Sequence, residues 1–140
     1  MQVARGATAV QVLIVDDEMV VAQSTAEIFR IAGHNAMYAT SAAKALEVAK
    51  EFRPDVLITD VVMPEQNGVD LAISIVSEIP TCKVLLISGQ AETSNILDGA
   101  QQKGYHFDIV AKPLWPPELI RHAESLVAGG RNSESASAAG

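Results

Sequence analysis

The sequence predicts a doubly wound α/β domain, a parallel five-stranded sheet with helices on both faces. Short β-branched apolar runs alternate with longer stretches whose apolar residues recur at helical spacing, and the alternation repeats five times. The runs are continuous rather than alternating with polar residues, as in strands buried on both faces. Strand–helix repeats of this kind close into a parallel sheet through right-handed crossovers.

The elements follow in order. Residues 10–15 form the first strand. A helix over about 18–32 is expected to pack through Val20, Val21, Ser24, Ile28, Ile31 and Ala32, with Gly33 at its C-terminal cap. The second strand, about 36–39, has the weakest pattern of the five. Ser41 is a suitable N-cap for a helix whose Ala42, Ala45, Leu46 and Ala49 recur on one face. The third strand spans about 56–59. Leu71, Ala72, Ile75, Val76 and Ile79 mark a third helix, stopped by Pro80. After a fourth strand, about 84–87, a polar helix over about 92–103 offers only Ile96, Leu97 and Ala100 to a core, and Gly104 ends it. The fifth strand spans about 109–111. The last helix opens with Pro116-Pro117, which a first turn tolerates, and carries Leu119, Ile120, Ala123, Leu126 and Val127 as far as Gly129-Gly130. The chain is expected to comprise an N-terminal extension (1–9), one domain (10–128) and a Gly-, Ser- and Ala-rich, disordered tail (129–140).

A length of 140 residues suits one domain, and 49% apolar with 19% charged residues suits a soluble one. The formal charge of −7, with ten scattered Lys and Arg, argues against non-specific binding to nucleic acid or to an anionic membrane. Cys82 is the only cysteine, so no intrachain disulfide or cysteine metal cage forms. Its expected role is that of a small buried hydrophobe. No stretch is long enough to span a bilayer, and a cytoplasmic location is expected.

Four strands end in polar residues that a buried strand does not need: Asp16-Asp17-Glu18, Asp60, Ser88-Gly89 and Lys112-Pro113. Open α/β sheets bind ligands beyond the carboxyl ends of their strands. If these strands are neighbours, three carboxylates, a hydroxyl and an ammonium converge there. Carboxylates so close require a cation or a raised pKa. All-oxygen ligation suits Mg²⁺. A fixed ammonium and a hydroxyl suit a phosphoryl group, whose transfer depends mainly on positioning and charge neutralisation. Read singly, each residue has an ordinary alternative. Asp16 and Asp17 can cap the first helix, Asp60 can be a turn residue, Ser88 can cap the fourth helix, and Lys112 can be a solvated lysine.

As an ordered set, these motifs resemble the receiver domain of two-component response regulators, the chemotaxis receiver among them. The set comprises Asp16-Asp17 after the first strand, Asp60 before Val61-Val62-Met63-Pro64, Gly68, Ser88-Gly89 and Lys112-Pro113. The likeness covers about residues 10–127. It implies a flavodoxin-like (βα)5 fold with strand order 2-1-3-4-5. It implies that Asp60 accepts a phosphoryl group from a phosphohistidine on a sensor histidine kinase or phosphotransfer protein. Mg²⁺ would be held by Asp17, Asp60 and the Val62 backbone carbonyl, with Asp16 acting through water. Lys112 would pair with a phosphoryl oxygen, Ser88 would donate its hydroxyl, and a cis bond before Pro113 would aim Lys112 inward. Such a domain is a signalling phospho-acceptor rather than an enzyme. Its output would be a downstream protein partner, or self-association, through the face formed by the fourth helix, fifth strand and fifth helix.

The chain departs from the family pattern in places. Ser88 stands where many receivers carry Thr, and it keeps the hydroxyl. Ile109 occupies the position of a frequent Tyr or Phe switch, while Tyr105 and Phe107 stand off that register, so packing roles are expected for Ile109 and Phe107. Val62 is apolar where several receivers place a group that orients water. Trp115, before the last helix, is a candidate partner anchor or a packing residue. A pseudo-receiver, binding partners without phosphorylation, is the rival reading. A dehalogenase-like phosphatase lacks its second Asp, since Val62 holds that position. A flavin-binding protein would need phosphate-binding hydroxyls where Asp16-Asp17-Glu18 would repel the cofactor.

Overall fold

The computed structural model describes residues 9–64, 66–89, 98, 101–105, 107–112 and 115–129. The described elements are β1 (Gln11–Val15), α1 (Met19–Ile31), β2 (Asn35–Ala39), α2 (Ala42–Phe52), β3 (Val56–Asp60), α3 (Gly68–Glu78), β4 (Lys83–Ser88), β5 (Asp108–Ala111) and a last helix (Pro116–Gly129). The five strands form one sheet, all neighbouring pairs parallel, in the order β2-β1-β3-β4-β5. This is the expected doubly wound fold. Most of the fourth helix, Pro113, the extension up to residue 8 and the tail from residue 130 lie outside the described residues.

The continuous apolar runs have a direct cause. Successive strand side chains point to opposite faces. Val12 and Ile14 of β1, Val56 and Ile58 of β3, and Leu85 and Ile87 of β4 pack on one face with Ala22, Ala26 and Phe29 of α1 and Leu119, Ala123 and Leu126 of the last helix. Leu13, Val15, Leu57, Val84 and Leu86 face the other way, onto Ala45 and Ala49 of α2 and Leu71, Ala72 and Ile75 of α3. The three central strands therefore have no solvent face. The outer strands do not follow that expectation: β2 and β5 sit at the sheet edges and are only partly buried. Ile109 is 39% exposed rather than packed, whereas Phe107 packs against the α2–α3 side of the core and against the Tyr105 ring.

The first helix corrects the sequence reading. Its buried face is Ala22, Thr25, Ala26 and Phe29, while Val20 and Ile31 are exposed. Two alanines let the helix approach the sheet, Phe29 fills the space beneath, and the Thr25 hydroxyl donates to the Val21 carbonyl at 2.7 Å. One large aromatic on a small-residue stripe outweighs a stripe of β-branched residues at the rim. The other helices begin and end for legible reasons. Ser41 Oγ accepts from Lys44 N–H at 3.1 Å, and Asn67 Oδ1 accepts from Asp70 N–H at 2.8 Å. Gly33 adopts φ +100° after α1, a left-handed conformation that favours glycine.

A buried histidine joins distant parts of the chain. His34 Nδ1 accepts from Val10 N–H at 3.0 Å, which leaves Nε2 to donate to Glu124 of the last helix at 2.7 Å.

Candidate functional site

The carboxyl ends of β1 and β3 are adjacent, with Val15 level with Thr59. This places Asp16, Asp17 and Asp60 together, with one carboxylate oxygen of each within 4.8 Å of the others. Asp16 and Asp60 are buried and Asp17 is exposed. Asp16 Oδ1 accepts the Glu18 N–H at 2.9 Å, which fixes the start of the loop into α1. The helix itself starts from Glu18 with no side-chain cap, so neither Asp16 nor Asp17 caps it, and capping would not account for Asp60.

Asp60 is held from several sides. Val62 N–H donates to its Oδ1 at 3.2 Å, and Lys112 Nζ donates to its Oδ2 at 3.1 Å. Thr59, fully buried, donates its hydroxyl to the Asp60 carbonyl at 3.1 Å. Behind it, Val61 N–H bonds to the Ile87 carbonyl at 3.0 Å and Gly68 N–H to the Val61 carbonyl at 2.7 Å. Gly68 lies so near that an added Cβ would overlap the Asp60 carbonyl oxygen and stand 2.9 Å from its carbon. Only glycine permits the head of α3 to rest on the acceptor's own peptide.

The other two predicted residues come from β4 and β5. Ser88, buried at the end of β4, is level with Ala111 of β5, and Lys112 N–H bonds to the Ser88 carbonyl at 2.9 Å. Lys112 thereby leaves β5 beside Ser88 and reaches back to Asp60. Its stem passes over Gly89, whose absent side chain would stand 3.4 Å from Lys112 Cδ. The sequence offered no sign of this role for Gly89 beyond its place after Ser88. The Asn67 cap that seats α3 was also missed, although an Asn three residues before an Asp is a readable cap signal.

The electrostatics follow from this crowding. Burial raises the Asp16 carboxyl above its ordinary value; the Glu18 N–H opposes this, the charges of Asp60 and Asp17 add to it, and that of Lys112 subtracts. Burial lowers the Lys112 ammonium, but its hydrogen bond to Asp60 and the charges of Asp60, Asp16 and Glu18 outweigh that effect, and its pKa stands above the ordinary lysine value. A small cleft of about 240 Å³ opens beside Asp17, lined by Thr40, Ser41, Met63, Pro64 and Gln66. A larger one, about 400 Å³ between α2 and α3, contains no residue of this cluster.

Residues 12–124 match the family described as the response regulator receiver domain. The chain belongs to that family. The receiver domain is 31% identical over 111 residues to the chemotaxis protein CheY of Thermotoga maritima, a match covering 79% of this chain and 91% of CheY. It is 32% identical over 118 residues to the probable transcriptional regulatory protein TcrX of Mycobacterium tuberculosis, covering 84% of this chain and 50% of TcrX. It thus spans about half the length of that relative. Among solved structures, a response regulator receiver domain protein from Clostridium thermocellum superposes with a TM-score of 0.73 at 27% identity, over 84% of this chain and 93% of the other. Among the described residues no helix is long and apolar enough to cross a membrane.

Proposed function

We propose that this receiver domain accepts a phosphoryl group on Asp60 from a phosphohistidine of a sensor histidine kinase or phosphotransfer protein. The observation that carries the reading is the pairing of Asp60 with Lys112 at 3.1 Å inside a cluster of three carboxylates. An Asp60 oxygen would form the new bond to phosphorus, and the bond from phosphorus to the donor's imidazole nitrogen would break, its electron pair staying on nitrogen. Lys112 would transfer its contact from the carboxylate to a phosphoryl oxygen, and Ser88 would donate its hydroxyl to another.

The donor set fits Mg²⁺: it is all oxygen, and burial raises the Asp16 pKa, so the ionised cluster gains from a divalent counter-charge. Asp17, Asp60 and the Val62 carbonyl would hold the ion, with Asp16 acting through water. Bound there, it supplies positive charge against the carboxylates and the phosphoryl oxygens.

Output would be a shift between two states, felt on the face of the fourth helix, β5 and the last helix, and read by a protein partner or by self-association. Met19, Val20, Val62 and Trp115, all exposed apolar side chains that follow strand ends, offer contacts for the phosphodonor. A cytoplasmic setting suits such donors.

Incubation with phosphoramidate and Mg²⁺, followed by intact mass, tests the assignment. One added phosphate, lost in Asp60→Asn and with EDTA, is the expected result. A protein that stays unmodified overturns it and points to partner binding without phosphorylation.

A further inference from the structure

We propose that the outer edge of β2 is a latent strand-pairing surface for a second copy of this chain, held closed by Arg30. Among the described residues, the sheet order leaves β2 with one side unpaired by any strand. Asn35 N–H bonds to the Val10 carbonyl and Asp16 N–H to the Ala39 carbonyl, so Asn35, Met37 and Ala39 turn their backbone groups toward β1. In a parallel ladder the intervening residues turn theirs away, so the amides and carbonyls of Ala36 and Tyr38 point outward. An open row of this kind is a template for another strand.

Arg30 interrupts that row. From the last turn of α1 its Nε and Nη2 both donate to the Ala36 carbonyl, at 3.1 and 2.8 Å, while Nη1 reaches Glu27 Oε1 at 3.4 Å. Ala36 is only 6% exposed although its strand is at the edge. An incoming strand would have to displace a cation already bonded to the carbonyl it needs.

The flank beneath the guard favours a second copy over an unlike partner. A cleft of about 620 Å³ lies beside the edge, with Met37, Val48 and Phe52 as its apolar part and Glu47, Lys50 and Glu51 as its charged part. Both signs are present, as a self-complementary patch requires. Twofold antiparallel pairing sets the same surface against itself, so Lys50 of one copy meets carboxylates of the other. An acidic or basic foreign segment would instead find one sign working against it.

Arg30→Met keeps the stem and removes the donors. Light scattering across a concentration series should show a dimer, absent from the wild type at the same concentrations. Hydrogen exchange of the Tyr38 amide should slow as that dimer forms. Adding Tyr38→Pro, which deletes an outward N–H and spares the ladder to β1, should return the wild-type mass. A variant that keeps the wild-type mass throughout overturns the proposal, as does a dimer that survives Tyr38→Pro. If Arg30→Met loses its circular dichroism signal, Arg30→Lys, which keeps the charge but not both N–H bonds, is read by the same two outcomes.

Discussion

Replacing Gly68 by alanine probes how the acceptor is seated. The new Cβ would stand 2.9 Å from the Asp60 carbonyl carbon and 3.1 Å from Val61 Cα, besides overlapping the Asp60 carbonyl oxygen. Carbon atoms settle at about 3.5–4.0 Å, so either α3 or the Asp60 peptide must move by about 0.6–1.1 Å. Both are backbone, and neither can rotate aside. Overpacking costs about 1–3 kcal/mol, and a backbone clash belongs at the upper end, about 3 kcal/mol. For a domain of this length that lowers the melting temperature by about 10 °C. The displacement also separates Asp60 from Lys112, and a misplacement near 1 Å costs about a hundredfold in rate. Thermal denaturation by circular dichroism reads the first effect, and an intact-mass time course with phosphoramidate and Mg²⁺ reads the second. Gly89→Ala is the control, since its Cβ would meet only the flexible Lys112 stem at 3.4 Å. Melting within about 2 °C of wild type for Gly68→Ala, with an unchanged phosphorylation rate, would refute the reasoning, because such overpacking is expected to cost several times more.

Four further outcomes follow from the same geometry. In EDTA at neutral pH, Asp16→Asn should melt higher than wild type, because it removes a carboxylate whose ionised form is disfavoured by burial and by the charges of Asp60 and Asp17, and it should gain less from added Mg²⁺. Cys82 is pushed up by burial from 9.0 to about 12, so the folded thiol keeps its proton where the unfolded one loses it. Stability therefore falls as pH rises through that window, and Cys82→Ala should show a smaller loss in melting temperature between about pH 8 and about pH 10. Val62 is an exposed apolar side chain whose N–H contacts the acceptor, and Val62→Asn should shorten the life of the phosphorylated protein several-fold by positioning water; an unchanged decay rate by mass spectrometry counts against this. Ser41→Ala should cost about 1 kcal/mol in urea denaturation, through loss of the cap to Lys44 N–H.

Much of the fold was legible because the central strands are buried on both faces and their apolar runs have no gap. The site was legible for a related reason: Asp60, Ser88 and Lys112 interrupt or end such runs with groups a core would exclude. The α1 face was misread because Val20 and Ile31 form as regular a stripe as Ala22, Ala26 and Phe29, and only contact with the sheet distinguishes them. The edge strands stand where the resemblance placed them, but their burial was overestimated, because a short apolar run reads alike at the edge and at the centre of a sheet. Arg30 and His34 escaped notice altogether. Arg30 acts on a carbonyl six residues on, beyond the helix it belongs to, and the partners of His34 lie 24 and 90 residues away in sequence.

That imidazole gives the molecule a fastening at the end of the sheet remote from the acidic cluster. Both ring nitrogens are committed, one to the residue that leads into β1 and one to the last helix. The ring is buried, so a helix that slides far enough to release Glu124 strands a polar nitrogen, at a cost of about 1–3 kcal/mol. Motion of the last helix is thereby biased toward pivoting about Glu124, with its Trp115 end, nearer the acceptor, as the freer arm.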